Sequence, residues 1–405
     1  MPSQPGKPSQ VEGSIAIAHA IAACRPEVIC AYPITPQTHI VEALARMARL
    51  EQLGNCQYVN VESEFAALSV CIGASASGSR AYTATSSQGL LFMAEAVYNT
   101  SGMRLPVVMT IGNRAIGGPI NIWNDQSDSM ALRDAGWIQL HAENNQEAAD
   151  LHIQAFRLAE QVNLPVMVCV DGFLLTHAFE QITLTDQEKT DAFLPPFEPI
   201  QALNIEEPMS IGAMVGPEAF MEVRYLNASQ FDESLEPIQS ISEEFAALFG
   251  RSSGGLFEHY HSEAAQTVVI ALGSVNGTIK DVVDNLRDEG ASIGSIKISA
   301  YRPFPAAQLR EALSQAERVI VVEKSFFSGI GGPLFNDVVR SLENSGIAHY
   351  SVIGGLGGRA ILKKSLIEIF RNGMEESLEP LSFIDLDQKV ITRELLRQRA
   401  GSHGK

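Results

Sequence analysis

Val28-Ile29-Cys30-Ala31-Tyr32-Pro33-Ile34-Thr35-Pro36-Gln37-Thr38 is the stretch around which the chain is organised. Its four leading apolar residues predict a buried strand, which Pro33 and Pro36 end. Thr35 can cap a helix whose first position is Pro36, where a missing N–H costs nothing. A strand that runs straight into a helix start puts side chains and free N–H groups at the carboxyl end of a sheet. In open α/β sheets that edge is where ligands bind, and a helix N-terminus there favours an anion. Taken alone, the stretch also reads as an ordinary capped strand-to-helix turn.

Outward from it, the pattern repeats. A helix is expected over Gly13–Ala23, then strands near Val28–Tyr32, Gln57–Val61, Arg80–Thr85, Val107–Ile111, Ile138–His141 and Val166–Val170. Helical patterns fill the gaps at Thr38–Leu53, Glu64–Ala76, Gln88–Thr100 and Gln146–Val162. Short apolar strands alternating with helices mean a parallel sheet covered on both faces. Residues 13–180 read as one such domain, preceded by a flexible stretch over 1–12. The pattern lapses over 181–263, with Leu194-Pro195-Pro196 and Glu206-Glu207-Pro208, apart from a helix expected at Ile238–Phe249. A structureless connection of that length is unusual, so it is expected to pack across the surface or over a partner. A second parallel-sheet domain follows over 264–372, with strands at Thr267–Leu272, Ser292–Ile298, Val319–Glu323 and His349–Val352. Its helices are expected near Thr278–Arg287, Ala306–Ser314 and Pro333–Asn344, and an acidic then basic tail occupies 373–405. The fold class is therefore α/β with two parallel-sheet domains.

Composition narrows the function. The 405 residues suffice for two or three domains, and 45% hydrophobic content supports large cores. No apolar run reaches the roughly 18 to 20 residues of a membrane span, and Met1 to Gln10 lacks the apolar segment of a signal peptide, so a cytoplasmic protein with no membrane contact is expected. A net charge of −18 argues against nucleic acid as a partner, because phosphate contacts need clustered Lys and Arg. The five cysteines, Cys24, Cys30, Cys56, Cys71 and Cys169, sit in mostly apolar contexts without a Cys-x-x-Cys. That predicts buried reduced thiols and no zinc or iron–sulfur framework on this chain.

Tyr32-Pro33-Ile34-Thr35-Pro36 resembles the signature of the 2-oxoacid:ferredoxin oxidoreductases, the thiamine-diphosphate enzymes typified by pyruvate:ferredoxin oxidoreductase. Further segments match in order: Glu62-Ser63-Glu64-Phe65-Ala66-Ala67, Thr85-Ser86-Ser87-Gln88-Gly89-Leu90, Asn113-Arg114-Ala115-Ile116, Asp171-Gly172-Phe173 with His177, and Gly355-Leu356-Gly357-Gly358-Arg359. The resemblance spans nearly the whole chain and is strongest to the alpha subunit of the multi-subunit pyruvate enzymes. It implies that 13–180 is the pyrimidine-binding domain and 264–372 a transketolase carboxyl-terminal-like domain, which Tyr301-Arg302-Pro303-Phe304-Pro305 fits.

The implied reaction is oxidative decarboxylation of pyruvate with CoA to acetyl-CoA, CO2 and reduced ferredoxin or flavodoxin. Other 2-oxoacids (2-oxobutyrate, branched-chain, 2-oxoglutarate) and a non-catalytic scaffold remain alternatives. In this chemistry the cofactor's own 4′-imino group removes the thiazolium proton, and that tautomer forms when a buried carboxyl hydrogen-bonds N1′ of the pyrimidine. Glu64 is the matching residue and Glu62 its nearby competitor; without the resemblance, an acid in a first helical turn reads as a dipole-favoured start. Arg114, after an apolar strand and before Gly117-Gly118-Pro119, can hold a 2-oxoacid carboxylate through two parallel hydrogen bonds, although arginines at strand ends are common. The resemblance adds Thr35 as a second contact to that carboxylate, and Tyr32, Pro33, Gln88 and Gly89 as neighbours of the cofactor.

Two glycine-rich runs are decoys. Gly73-Ala74-Ser75-Ala76-Ser77-Gly78-Ser79-Arg80 has P-loop spacing with Ser79 where the lysine must stand, and Gly329-Ile330-Gly331-Gly332 is a weak phosphate-loop signal more often found as a tight turn. No Gly-Asp-Gly, the segment through which thiamine enzymes hold Mg2+ and diphosphate, occurs in the chain. The resemblance therefore implies a composite site. A beta subunit would hold the Mg2+ and diphosphate, [4Fe–4S] clusters would lie on partner chains, and gamma and ferredoxin-like delta subunits or their equivalents would complete the complex.

Overall fold

The computed structural model describes residues 6–402. Its strands in chain order are β1 (Pro8–Glu12), β2 (Val28–Cys30), β3 (Gln57–Val59), β4 (Ala81–Thr85), β5 (Val107–Asn113), β6 (Ile138–His141), β7 (Val166–Asp171), β8 (Phe179–Thr183), β9 (Phe257–Tyr260), β10 (Thr267–Ala271), β11 (Ile293–Ile298), β12 (Ala300–Arg302), β13 (Arg318–Glu323), β14 (Ala348–Ile353) and β15 (Leu381–Phe383). They form a seven-stranded sheet ordered β12-β6-β7-β5-β4-β2-β3, a six-stranded sheet ordered β15-β14-β13-β10-β11-β9, and the pair β1-β8. Both large sheets are parallel except at one edge, where β12 and β9 run antiparallel.

The apolar runs are continuous because each strand is buried on both faces. In β5, Val107, Met109 and Ile111 enter the core beneath the helices Glu64–Ala76 and Ala94–Gly102, while Val108 points into the core shared with Gly13–Ala23 and Asn145–Val162. The second sheet repeats this, with Val268 and Ile270 of β10 on one face and Val269 and Ala271 on the other.

The chain leaves β2 for β3 on one side and returns to β4 on the other, so strand order reverses between β2 and β4. A crevice outside the carboxyl ends of strands at such a switch point is where open α/β sheets bind ligands. The turns after β2, β3, β4, β5 and β7 all line that edge.

Several expectations change. The helix after β2 begins at Thr38 with Gln37 as its flanking residue; Thr35 and Pro36, joined by a cis peptide bond, lie in the preceding turn, so Thr35 is not the cap. That turn is pinned by Gln37, whose Nε2 donates to the carbonyls of Tyr32 (2.8 Å) and Ala84 (3.3 Å). The helical pattern over Gln88–Thr100 is two helices, Ser87–Phe92 and Ala94–Gly102, parted at the fully buried Met93.

Residues 8–12, expected to be flexible, form β1, which opens on Pro8 and turns Val11 inward as it pairs with β8. Residues 1–5 lie outside the described residues. Within 181–263 two further helices occur, Gln187–Phe193 and Phe220–Glu233; the expected one spans Leu235–Phe249 and folds Ile238, Ile241 and Phe245 into the first core. β12, read as part of the second unit, closes the edge of the first sheet against β6, and β15, read as tail, extends the second sheet beside β14. The remainder of the tail is the helix Gln388–Ser402, and residues 403–405 lie outside the described residues.

Candidate active site

Glu64 opens the helix Glu64–Ala76 after β3. Ser63 caps that helix by accepting the N–H of Ala66 at 3.2 Å, which leaves Glu64 in its first turn. The residue is 9% exposed, whereas Glu62 two positions earlier stands in solvent, so only one of the two candidate carboxylates is enclosed. Gly89, after β4, lies against it. A Cβ built on Gly89 would come within 2.7 Å of Glu64 Oε1 and 2.6 Å of Thr85 Oγ1, so only glycine leaves that carboxylate its place. Thr85 Oγ1 is buried there without a hydrogen-bond partner. An enclosed carboxylate, an unpaired hydroxyl and a glycine floor make a cradle that suits the polar edge of an aminopyrimidine.

Gln88 is half-buried, with its side-chain amide against the hydroxyl of Ser87. Tyr32 and Pro33 stand exposed on the same edge, and among the described residues no hydrogen bond joins them to Glu64.

Arg114 follows β5 and is 7% exposed. Its Nη1 donates to the carbonyl of Thr35 at 2.9 Å and its Nε to that of Asn121 at 3.3 Å. Two of the five guanidinium protons are thus committed and three remain. Burial pulls the guanidinium below its usual range, against the charge of Asp128. Among the described residues no carboxylate lies within ion-pair distance of it. A buried charge is normally paired, and this one is held by two neutral carbonyls with an edge left over. Thr35 meets Arg114 through its backbone oxygen, while its side chain is exposed.

Beyond Arg114 the edge continues as a run of tilted ring contacts. Trp123 lies on Phe173 with centroids 4.8 Å apart, Phe173 on His177 at 4.7 Å, and His177 on His39 at 4.5 Å. His39 Nδ1 is 2.6 Å from Glu12. Burial, followed by the neighbouring His39, lowers His177 despite Glu12.

Two buried acids and one loop that the sequence did not single out for these roles support the edge. Asp128 accepts the backbone N–H groups of both Ser87 (2.9 Å) and Arg114 (3.0 Å); burial pushes its carboxyl up to about 7 even with these donors. Asp171 ends β7 and pairs with Lys324 at the end of β13, joining the two large sheets. It also receives Ser274 N at 2.9 Å and Asn124 Nδ2 at 3.2 Å. The Gly355–Arg359 loop docks through Gly357, whose N–H reaches Asp125 at 3.1 Å and whose carbonyl accepts Asn121 at 3.1 Å. Asp128 sits in a short polar run, Asn124-Asp125-Gln126-Ser127-Asp128, with nothing local to set it apart.

A separate cleft of about 700 Å3, lined by Asp134, Arg302, Phe304 and Arg310, contains none of these side chains. The carboxyl edge of the first sheet holds the enclosed carboxylate and the unpaired guanidinium, and we place the site there.

Comparison with known proteins gives the family. The family model described as "Pyruvate flavodoxin/ferredoxin oxidoreductase, thiamine diP-bdg" matches residues 19–243, and "Pyruvate:ferredoxin oxidoreductase core domain II" matches residues 265–366. A pyruvate synthase subunit PorA of Methanosarcina barkeri is 46% identical over 94% of this chain and 97% of its own length. A ketoisovalerate oxidoreductase subunit VorA of Pyrococcus horikoshii is 41% identical over 86% and 89%. Among solved structures, a 2-oxoglutarate:ferredoxin oxidoreductase from Magnetococcus marinus, with 2-oxoglutarate, coenzyme A and succinyl-CoA bound, shares the fold with a TM-score of 0.69 at 20% identity, over 92% of this chain and 66% of that one. With the first family model covering more than half of the chain and the PorA subunit nearly all of it, the chain belongs to the pyruvate:ferredoxin (flavodoxin) oxidoreductase family.

Proposed function

We propose that this chain is the subunit of a pyruvate:ferredoxin (or flavodoxin) oxidoreductase that holds the pyrimidine half of thiamine diphosphate and the carboxylate of pyruvate. The observation that carries the reading is the buried Arg114 guanidinium, which stands at the carboxyl edge of the first sheet with no carboxylate partner among the described residues. An anionic substrate would complete it with two charge-assisted hydrogen bonds. Thr35 lies beside it to contact the same group. Glu64, in its cradle against Gly89, is the residue to hydrogen-bond the pyrimidine, with Tyr32, Pro33 and Gln88 around it. When bound, thiamine diphosphate supplies the carbanion chemistry that cleaves a 2-oxoacid next to its carbonyl. The chain's own part is to orient the two molecules and to hold a proton at Glu64.

The partners follow from what the chain must be given. A beta subunit supplies the diphosphate and Mg2+ site, gamma and ferredoxin-like delta subunits or equivalents carry [4Fe–4S] clusters, and ferredoxin or flavodoxin takes the electrons, with coenzyme A accepting the acyl group. No described helix is long and apolar enough to cross a membrane, and a cytoplasmic location is part of the proposal. So is the division into a pyrimidine-binding unit (13–180), a connection (181–263) and a transketolase carboxyl-terminal-like unit (264–372). The test is reconstitution with candidate partner subunits, followed by viologen reduction with CoA over several 2-oxoacids. Activity with pyruvate that needs the partner supports the proposal; turnover by this polypeptide alone, or preference for a branched 2-oxoacid, overturns it.

A further inference from the structure

We infer that Asp128 is a positioning residue that sets the register between the cofactor-facing turn and the substrate-facing arginine. Its Oδ2 accepts the N–H of Ser87 at 2.9 Å and of Arg114 at 3.0 Å, so one atom joins the turns after β4 and β5. Its Oδ1 accepts Asn113 Nδ2 and Ser129 N, both at 2.8 Å. A carboxylate offers about four lone-pair sites, and all are used. The group is fully buried, and its hydrogen-bond partners are N–H donors without formal charge.

Ser87 shows what the bond accomplishes. It is a non-glycine residue in the left-handed region (φ 49), a conformation that surrounding structure must impose. Its N–H is tied to Asp128 and its hydroxyl donates to the carbonyl of Ala115 at 2.5 Å. Gly89, two residues on, is thereby set against Glu64, while the Gln88 amide lies against Gly117. The same oxygen fixes where the Arg114 backbone begins, so the carboxylate anchor and the pyrimidine cradle share one reference point.

The role is geometric, and the hydrogen-bond inventory says how to separate it from a role for the negative charge. Asn113 Oδ1 is buried and unpartnered. In Asp128→Asn the side-chain oxygen can keep both Ser87 and Arg114 while the new NH2 donates to a turned Asn113, and only the Ser129 N–H loses its acceptor. Asp128→Ala loses every one of these acceptors.

In the reconstituted complex, Asp128→Ala should raise KM for pyruvate and weaken thiamine diphosphate binding together, each by about tenfold or more, the scale of one buried hydrogen bond left unmade. Asp128→Asn should return both constants to within about threefold of wild type. Wild-type constants in Asp128→Ala, or equal damage in the two variants, overturn the inference. It rests on the roles proposed for Glu64 and Arg114, so Glu64→Gln and Arg114→Ala are run beside it to show whether those roles fail instead. Hydrogen exchange is independent of them: the Ser87 and Arg114 amides should be protected in the wild-type chain and lose protection together in Asp128→Ala. Rapid exchange at either amide in the wild-type chain overturns the inference even if the alanine variant does not fold.

Discussion

The carboxyl ends of the two large sheets occupy the same topological position and use their charged residues in opposite ways. On the first sheet, Glu64 stands enclosed against Gly89, and Arg114 is buried with only carbonyl partners. On the second, β13 ends in Glu323 and Lys324, and both are consumed within the protein. Glu323 accepts the N–H groups of Leu334 and Phe335, each at 3.1 Å, and so fills the start of the helix Pro333–Ser341. A Cβ on Gly332 would collide with it, which explains the glycine at that position: the acceptor at this helix start is the protein's own carboxyl group. Lys324 closes on Asp171. The arginines repeat the contrast. Arg80 and Arg302 are as buried as Arg114, yet Arg80 is paired with Glu160 at 2.5 Å and Arg302 with Asp337 at 2.9 Å. Burial and residue type therefore do not distinguish Arg114 from Arg80 and Arg302; the counter-ion, which Arg114 lacks among the described residues, does.

If that distinction is right, first-edge substitutions change kinetics and second-edge substitutions change stability. The largest kinetic effect is expected for Glu64→Gln, which should lower kcat by about 10²–10⁴ in an assembled complex, the usual weight of a positioned acid–base group. The exposed Glu62, changed to Gln, should do much less, and equal losses would merge two residues that burial separates.

Lys324→Met should cost about 3–5 kcal/mol of unfolding free energy, because it leaves Asp171 charged and unpaired in the interior. Chemical denaturation measures it, and a loss under 1 kcal/mol would take the pair out of the scaffold.

Arg114→Ala should reduce kcat/KM for pyruvate by about tenfold to a hundredfold while thiamine diphosphate still binds, and Thr35→Val by less, since the Thr35 backbone oxygen that holds Arg114 survives the change. Steady-state kinetics with cofactor occupancy decide it; unchanged constants, or loss of the cofactor, would deny Arg114 the anchoring role.

The smallest effect is on acid stability. Burial pushes the Asp171 carboxyl up, but the Lys324 ammonium and the Ser274 donors outweigh it and hold the group at about 2, below the unperturbed 3.8. A lowered acid contributes stability above its unfolded value and loses it as pH falls through the folded one. About 2 kcal/mol should therefore disappear between pH 4 and 2. That slope should be absent in Lys324→Met; its persistence would trace the acid sensitivity elsewhere.

What could be read from the sequence alone is what local pattern controls. Runs such as Val107–Ile111 and Val166–Val170 are apolar at every position because both faces of a parallel strand are covered, so the strands and the α/β class were legible before any contact was known. The helix Glu64–Ala76 was legible from its helical pattern, and Glu64 and Arg114 were singled out from the segments that resemble the family. Tertiary structure decided the rest, since each item depends on residues far apart in the chain. β1 is a strand because β8, some 170 positions later, offers it an edge, and β12 leaves its own sheet to cap β6. Thr35 looked like a helix cap, but Gln37 fixes the turn through two carbonyls, one of them from β4. Asp128, Glu323 and Asp171 are three acids with no local mark of difference. One collects N–H groups from two turns, one caps the start of a helix and one neutralises a lysine, and burial together with the partner each finds across the fold assigns those roles.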